Sequence, residues 1–184
     1  MEKLIYQLSY MFNLTPWNAE DMPPELLETL QNLSPAHALD IGCGTGAYSH
    51  YLARQGWQVT GIDFVENAIR QARKRAKMLD LDIDFRVGDI TKLATMQLPP
   101  YKLVLDIKCS HSLSDDDRAS YIDALWSVMQ PDSLLLLETV HPRSEMGYSF
   151  GLTADDVAST YAQRFTLEHS KQNDFSGWYW LRKA

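Results

Sequence analysis

The stretch Ala38-Leu39-Asp40-Ile41-Gly42-Cys43-Gly44-Thr45-Gly46 decides the reading of this chain. An apolar run with a single acid stops at three glycines in alternate positions, and Ala47-Tyr48-Ser49-His50-Tyr51-Leu52-Ala53-Arg54 follows with helical character. Strand, glycine turn and helix in this order open an open α/β sheet of the nucleotide-binding type. Each glycine admits backbone angles or close approaches that a Cβ would obstruct, and the helix behind them supplies unpaired N–H groups.

Working outward, strands and helices alternate, which predicts a mostly parallel, doubly wound sheet. Strand one covers about 37–42 and its helix about 45–55; Gly56 to Asp63 reads as strand two, followed by a helix over about 65–79. Ile83 to Asp89 and Tyr101 to Asp106 are strands three and four, and both end in an acid. Ser114 with Asp115-Asp116-Asp117 starts a helix over about 115–130, its acids near the positive end of the helix dipole. Gln130-Pro131-Asp132-Ser133 turns into strand five, Leu134 to Val140, whose unbroken apolar run predicts burial on both faces. Thr153 with Asp155 and Asp156 caps a further helix. Phe165 to Ser170 and Gly177 to Arg182 read as an antiparallel hairpin. The expected picture is a doubly wound sheet closed by this hairpin at one edge.

Ahead of the sheet, residues 1–35 are expected to form a helical cap or a lid over the pocket mouth. Met22-Pro23-Pro24 sets up a short helix through Leu30, and Trp17, Tyr6 and Tyr10 offer aromatic faces.

With 184 residues the expectation is a single domain with a sizeable core. The net charge of −7 argues against nonspecific nucleic-acid binding, and the basic run Arg70, Arg73, Lys74, Arg75, Lys77 reads as a solvated helix face. The two cysteines, Cys43 and Cys109, have no zinc-ligand spacing, so no metal is expected. Reduced thiols, an N-terminus without a signal-peptide core and the lack of an apolar run near the roughly 18 residues of a membrane span predict a cytoplasmic protein. A monomer or weak homo-oligomer with a small-molecule partner is expected.

Ligands of such sheets bind beyond the carboxyl ends of the strands, which here present Gly42-Cys43-Gly44, Asp63, Asp89 and Asp106. Asp63 stands about 20 residues past the glycine turn, where an acid meets a ribose. A vicinal diol offers two donors and a carboxylate two acceptors. A dinucleotide site, and with it a nicotinamide-dependent oxidoreductase, fits less well. Its third glycine should fall three residues after the second, whereas Gly46 falls two after Gly44, and Asp40 beside the turn suits a ligand ammonium better than a pyrophosphate. A fold of this kind kept only for cofactor sensing is the non-enzymatic alternative.

The segments Leu39-Asp40-Ile41-Gly42-Cys43-Gly44-Thr45-Gly46, Gly61-Ile62-Asp63, Val87-Gly88-Asp89-Ile90 and Leu103-Val104-Leu105-Asp106 resemble the class I S-adenosylmethionine-dependent methyltransferases. The resemblance covers about 30–184 and implies a Rossmann-like α/β fold, with strand order 3-2-1-4-5-7-6, and S-adenosylmethionine as cofactor. It implies that Gly42 and Gly44 lie under the methionine and ribose, that Asp63 binds the ribose, that Asp89 and Ile90 hold the adenine with Phe64 beside it, and that the region of Asp106 meets the methionine part. Thr15-Pro16-Trp17-Asn18 with Pro23-Pro24, and Asp106-Ile107-Lys108-Cys109-Ser110-His111-Ser112-Leu113, are similar to segments of the thiopurine, halide/thiol and tellurite-type members; Asn18 replaces the usual Asp and Lys108 the usual Gly. A small-molecule acceptor follows from this likeness, a thiol first, with oxygen, nitrogen or carbon as rivals.

For chemistry, His111 just past strand four is the candidate base, with a cofactor-contacting or loop-ordering role as its alternative. His141 is second choice, and with Arg143 it could instead bind an acidic substrate. His37, His50 and His169 read as structural. Leu98-Pro99-Pro100-Tyr101 is similar to the Pro-Pro-Tyr segment of nucleic-acid amine methyltransferases, but it precedes its strand and lacks the polar first residue.

Overall fold

The computed structural model describes residues 22–145 and 148–184. Trp17, Tyr6 and Tyr10, and most of the expected cap, lie outside the described residues. The chain divides into two compact units, Met1–Asp89 and Ile90–Ala184.

In the first unit, α1 (Pro24–Gln31) starts on its proline, as expected. It is followed by β1 (His37–Ile41), α2 (Ala47–Arg54), β2 (Gln58–Asp63), α3 (Glu66–Met78) and β3 (Asp84–Val87). The strands are parallel in the order β3-β2-β1, with Ile41 beside Ile62 and Asp63 beside Val87. On α3 the small residues Ala68, Ala72 and Ala76 alternate with Ile69 on the buried face, at helical spacing. They let the helix lie close over Phe85 and Cys43. The basic residues Arg70, Lys74, Arg75 and Lys77 are exposed on the other side, whereas Arg73 turns back and donates to the Phe85 carbonyl.

In the second unit a 3-10 turn over Ile90–Thr95 leads to β4 (Tyr101–Ile107), and a second one, Ser110–Ser112, to α4 (Asp115–Val128). Next come β5 (Met129–Val140), the short strands β6 (Arg143–Glu145) and β7 (Tyr148–Phe150), α5 (Ala154–Tyr161), β8 (Phe165–Gln172) and β9 (Ser176–Lys183). The order here is β4-β5-β9-β8, with β4 and β5 parallel and the last pair antiparallel. Once the separate β6–β7 ribbon is set aside, the within-unit orders 3-2-1 and 4-5-7-6 are those expected. Seven strands belong to one mixed sheet.

Both predicted helix caps are present. The Ser114 hydroxyl accepts from Asp117 N, and Thr153 with Asp156 forms a reciprocal capping box. β5 is buried along Leu134–Val140 because it is paired on both sides. It differs from expectation at its start, running from Met129 directly out of α4. The Gln130–Ser133 turn is absorbed as an irregularity in the pairing, with Asp132 left-handed at φ 57°. The junction is held by Lys183, whose Nζ donates to the carbonyls of Trp126 (2.6 Å) and Met129 (2.7 Å) and stands 3.8 Å from the Trp126 ring. The cation thus meets carbonyls left open at the end of the helix. The β6–β7 ribbon was not foreseen; its strands are three residues each, too short for a periodic signal.

Candidate active site

The glycine turn and the end of β2 are built as one piece. Gly42, Gly44 and Gly46 have φ of 63°, 54° and 83°, left-handed angles that cost an L-residue about 1–2 kcal/mol each. At Gly46 a Cβ would also stand 2.6 Å from the Phe85 ring. The turn is drawn onto β2 by Cys43 N, which donates to Ile62 O at 3.1 Å. Asp63 then takes two backbone donors, Gly44 N on Oδ2 at 2.9 Å and Val65 N on Oδ1 at 2.8 Å. The residue is 6% exposed, and burial pushes its carboxyl up while the two N–H bonds pull it down. Each oxygen keeps acceptor capacity beyond its one backbone bond, so the carboxylate can take the two hydroxyls of a diol while still holding the turn.

Asp40 is buried and accepts from Ser49 Oγ at 2.5 Å, tying β1 to α2. Phe64 is half-buried and packs against Val65 and Ala68. Gly88 N donates to Asp63 O at 3.0 Å, which sets the end of β3 beside Asp63; Asp89 itself is exposed. Gly42, Gly44, Asp63 and Phe64 therefore share one end of the parallel strands, with Asp89 close by in the chain. Cys43 belongs to the core with Ile69, Ala72 and Phe85. His50 donates or accepts at the Ala72 carbonyl; since a carbonyl only accepts, Nε2 carries the proton and the residue is a packing histidine.

In the second unit Asp106 is wholly buried, and both its oxygens are engaged. Oδ1 accepts from Ser110 N (3.0 Å) and Cys109 N (3.3 Å), and Oδ2 from the Tyr121 hydroxyl (2.7 Å). Burial pushes its carboxyl up, and these donors oppose the shift. Its geometry orders the turn that carries His111. Ser110 Oγ meets the Tyr161 hydroxyl at 3.3 Å, so α5 is tied to the same turn. Ile90 is buried at the start of this unit.

His111 is 7% exposed, its ring stacks on Phe150 at 5.8 Å, and its Nδ1 is buried with no hydrogen-bond partner among the described residues. Burial lowers its pKa to about 4, aided by the positive charges of Arg143, Lys108 and Arg118. At neutral pH it is an uncharged imidazole. It lines an open cavity of about 650 Å³ together with Leu113, Arg118, Arg143, Phe150 and Leu152. His141 lies elsewhere in its bonding: its Nε2 meets the Asn173 carbonyl in the β8–β9 turn at 2.8 Å.

Arg118 and Tyr121 escaped the sequence reading. Arg118 follows three acids and looks solvated, yet it heads the stripe Arg118, Tyr121, Ile122, Leu125 that α4 buries. That i, i+3, i+4, i+7 spacing is the signal that was available.

Lys108 occupies a left-handed position, φ 58°, and its Nζ pairs with the buried Glu138 at 3.2 Å. Lys108→Gly and Lys108→Ala both remove the ion pair, but only alanine keeps the backbone penalty. The glycine variant is expected to be the more stable of the two by about 1 kcal/mol, measured as a shift in urea midpoint. Equal midpoints would mean that this backbone angle stores no strain.

A glycine turn closed onto an acid at the end of the next parallel strand defines a nucleoside-type pocket in a Rossmann-like sheet. A methyltransferase-domain family model matches residues 38–132, just over half of the chain, and the protein belongs to this family. The ubiquinone biosynthesis O-methyltransferase of Xylella fastidiosa (strain M23) is 35% identical over 111 residues, 60% of this chain and 44% of the relative. The chain spans about half the length of the curated relatives it matches. In fold it is similar to the 1,6-didemethyltoxoflavin-N1-methyltransferase of Burkholderia thailandensis, at TM-score 0.84 and 20% identity over 99% of this chain and 87% of that one. The N-methyltransferase NodS of Bradyrhizobium japonicum WM9 gives TM-score 0.79 and 21% identity over 98% of both chains. No helix among the described residues is long and apolar enough to cross a membrane.

Proposed function

We propose that the protein is an S-adenosylmethionine-dependent methyltransferase acting on a small molecule. The observation that carries this reading is the Gly44–Asp63 closure, a buried carboxylate held by two backbone donors with acceptor capacity to spare for a ribose. Family membership supports it, as does the S-adenosylhomocysteine bound in both similar structures. Gly42, Gly44, Asp63, Phe64 and Asp89 of the first unit would hold the cofactor, which supplies a sulfonium-bound methyl group; Asp40 fixes the glycine turn through Ser49, and Ile90, Asp106 and Trp17 are carried over from the resemblance alone. Methyl transfer is an in-line displacement that demands alignment and exclusion of water.

His111 is the proton acceptor in this reading. Its neutral form is fully populated at pH 7, but a group titrating near 4 is a weak base. It therefore suits acceptors that ionise readily, a thiol before an aliphatic alcohol. The positive charges around it favour an anionic nucleophile. A phenolic oxygen is the second reading, favoured by the O-methyltransferase relatives.

Thermal-shift titration tests the cofactor: S-adenosylhomocysteine is expected to raise the melting temperature and NAD(H) is not. Stabilisation by NAD(H) alone would overturn the assignment. Incubation of methyl-labelled S-adenosylmethionine with thiols, phenols and amines then ranks the acceptor atom.

A further inference from the structure

We infer that the methyl acceptor carries a carboxylate on an apolar, flat body, and that Arg118 in the second-unit cavity is the residue that holds this carboxylate. The inference rests on the methyltransferase reading and names the substrate class of that site.

Arg118 is 5% exposed, and a guanidinium keeps its charge at any working pH. Its Nη2 donates to the Leu113 carbonyl at 2.5 Å, while Nη1 is buried without a hydrogen-bond partner among the described residues. Asp115 stands 3.8 Å from Nη2 and is fully exposed, so water screens this pair. Asp156 on the cavity wall accepts from Thr153 N at 2.8 Å and Thr153 Oγ at 2.6 Å, and its carboxyl also feels the Arg118 charge. A buried cation in this state is costly until an anion reaches it. The planar fork of a guanidinium matches a carboxylate better than any neutral acceptor.

The rest of the wall fits the same ligand. Arg143 brings a second cation, 5.1 Å from the Phe150 ring centroid. Phe150 stacks with His111 at an interplanar angle of 27°, and Leu113 and Leu152 extend the apolar surface. Burial is the first cause of the depressed pKa of His111, and the charges of Arg143, Lys108 and Arg118 add to it. A volume of about 650 Å³ accommodates a small molecule of this shape.

Benzoate and its neutral isostere benzamide are the probes, titrated into the full chain by ligand-observed NMR with and without S-adenosylhomocysteine. Benzoate is expected to bind about tenfold or more tightly than benzamide. Arg118→Met should remove that preference while leaving benzamide and S-adenosylhomocysteine affinities unchanged, and Arg118→Lys should keep part of it. Equal affinities in the wild-type protein, or equal weakening of both probes by Arg118→Met, would overturn the inference. Should Arg118→Met fail to fold, the wild-type ratio decides alone. Lack of S-adenosylhomocysteine binding would count against the cofactor assignment and leaves the benzoate ratio to be read on the free protein.

Discussion

Asp63→Ala is expected to weaken S-adenosylhomocysteine binding by about 3 kcal/mol, roughly a hundredfold, and to destabilise the fold at the same time. The two losses have different origins. On the ligand side, two hydroxyls lose a charged acceptor in a site where water is largely excluded. On the protein side, Gly44 N and Val65 N, now bonded at 2.9 and 2.8 Å, are left as buried donors without partners. Each such donor costs about 1–3 kcal/mol. Because Gly44 sits in a left-handed conformation that needs this anchor, part of the affinity loss comes from a turn that no longer holds its shape. Asp63→Asn separates the effects. Its amide oxygen can still serve one of the two N–H groups, so stability should fall less than in Asp63→Ala while affinity stays low. Calorimetric titration with S-adenosylhomocysteine and urea midpoints measure the two quantities. Unchanged affinity in Asp63→Ala would remove β2 from the cofactor site.

Stability is expected to fall by about 3 kcal/mol through His111 alone as the pH is lowered from 7 to 4. Its folded-state pKa is about 4, against 6.5 for a solvent-exposed histidine of the unfolded chain, with burial as the first cause and Arg143, Lys108 and Arg118 behind it. The folded pKa is the lower one, so the unfolded chain takes up the proton first. The contribution is fully present above pH 6.5, is lost as the pH falls toward 4, and levels off below. Carboxylates titrate over part of the same range, so the isolating measurement is the difference in pH slope between wild type and His111→Gln. The variant should lose about 3 kcal/mol of pH dependence whatever its stability at pH 7. Parallel slopes would show that the ring is hydrated or already paired. The same shift predicts that kcat/KM has no break near pH 6.5, since the imidazole is neutral on both sides of it.

Local chemistry made much of this legible in advance. Three alternating glycines can be read from the chain because left-handed angles disfavour residues with a Cβ, and Asp63 because its distance from them is set by one helix and one strand. The Ser114 and Thr153 caps are equally local. The unbroken Leu134–Leu137 run announces a strand paired on both sides. What local pattern could not do was rank the acids. Asp63 and Asp106 look alike, each ending a strand, yet Asp106 is wholly buried among donors from Ser110, Cys109 and Tyr121, whereas Asp63 is slightly exposed and takes one backbone donor on each oxygen. Asp40 is likewise drawn to Ser49, nine residues on.

The amino-acid order by itself determined the class of sheet and the glycine turn with the acid that follows it, since these depend on periodicity and on residues close in the chain; the order of the strands came only with the family resemblance. The tertiary structure alone decided what surrounds His111. Arg118 and Phe150 line one cavity with it, and the turn that carries it is tied to Tyr161, 51 residues from Ser110. Long-range packing of this kind turns a charged residue in an acidic run into a buried cation, and no local propensity encodes it.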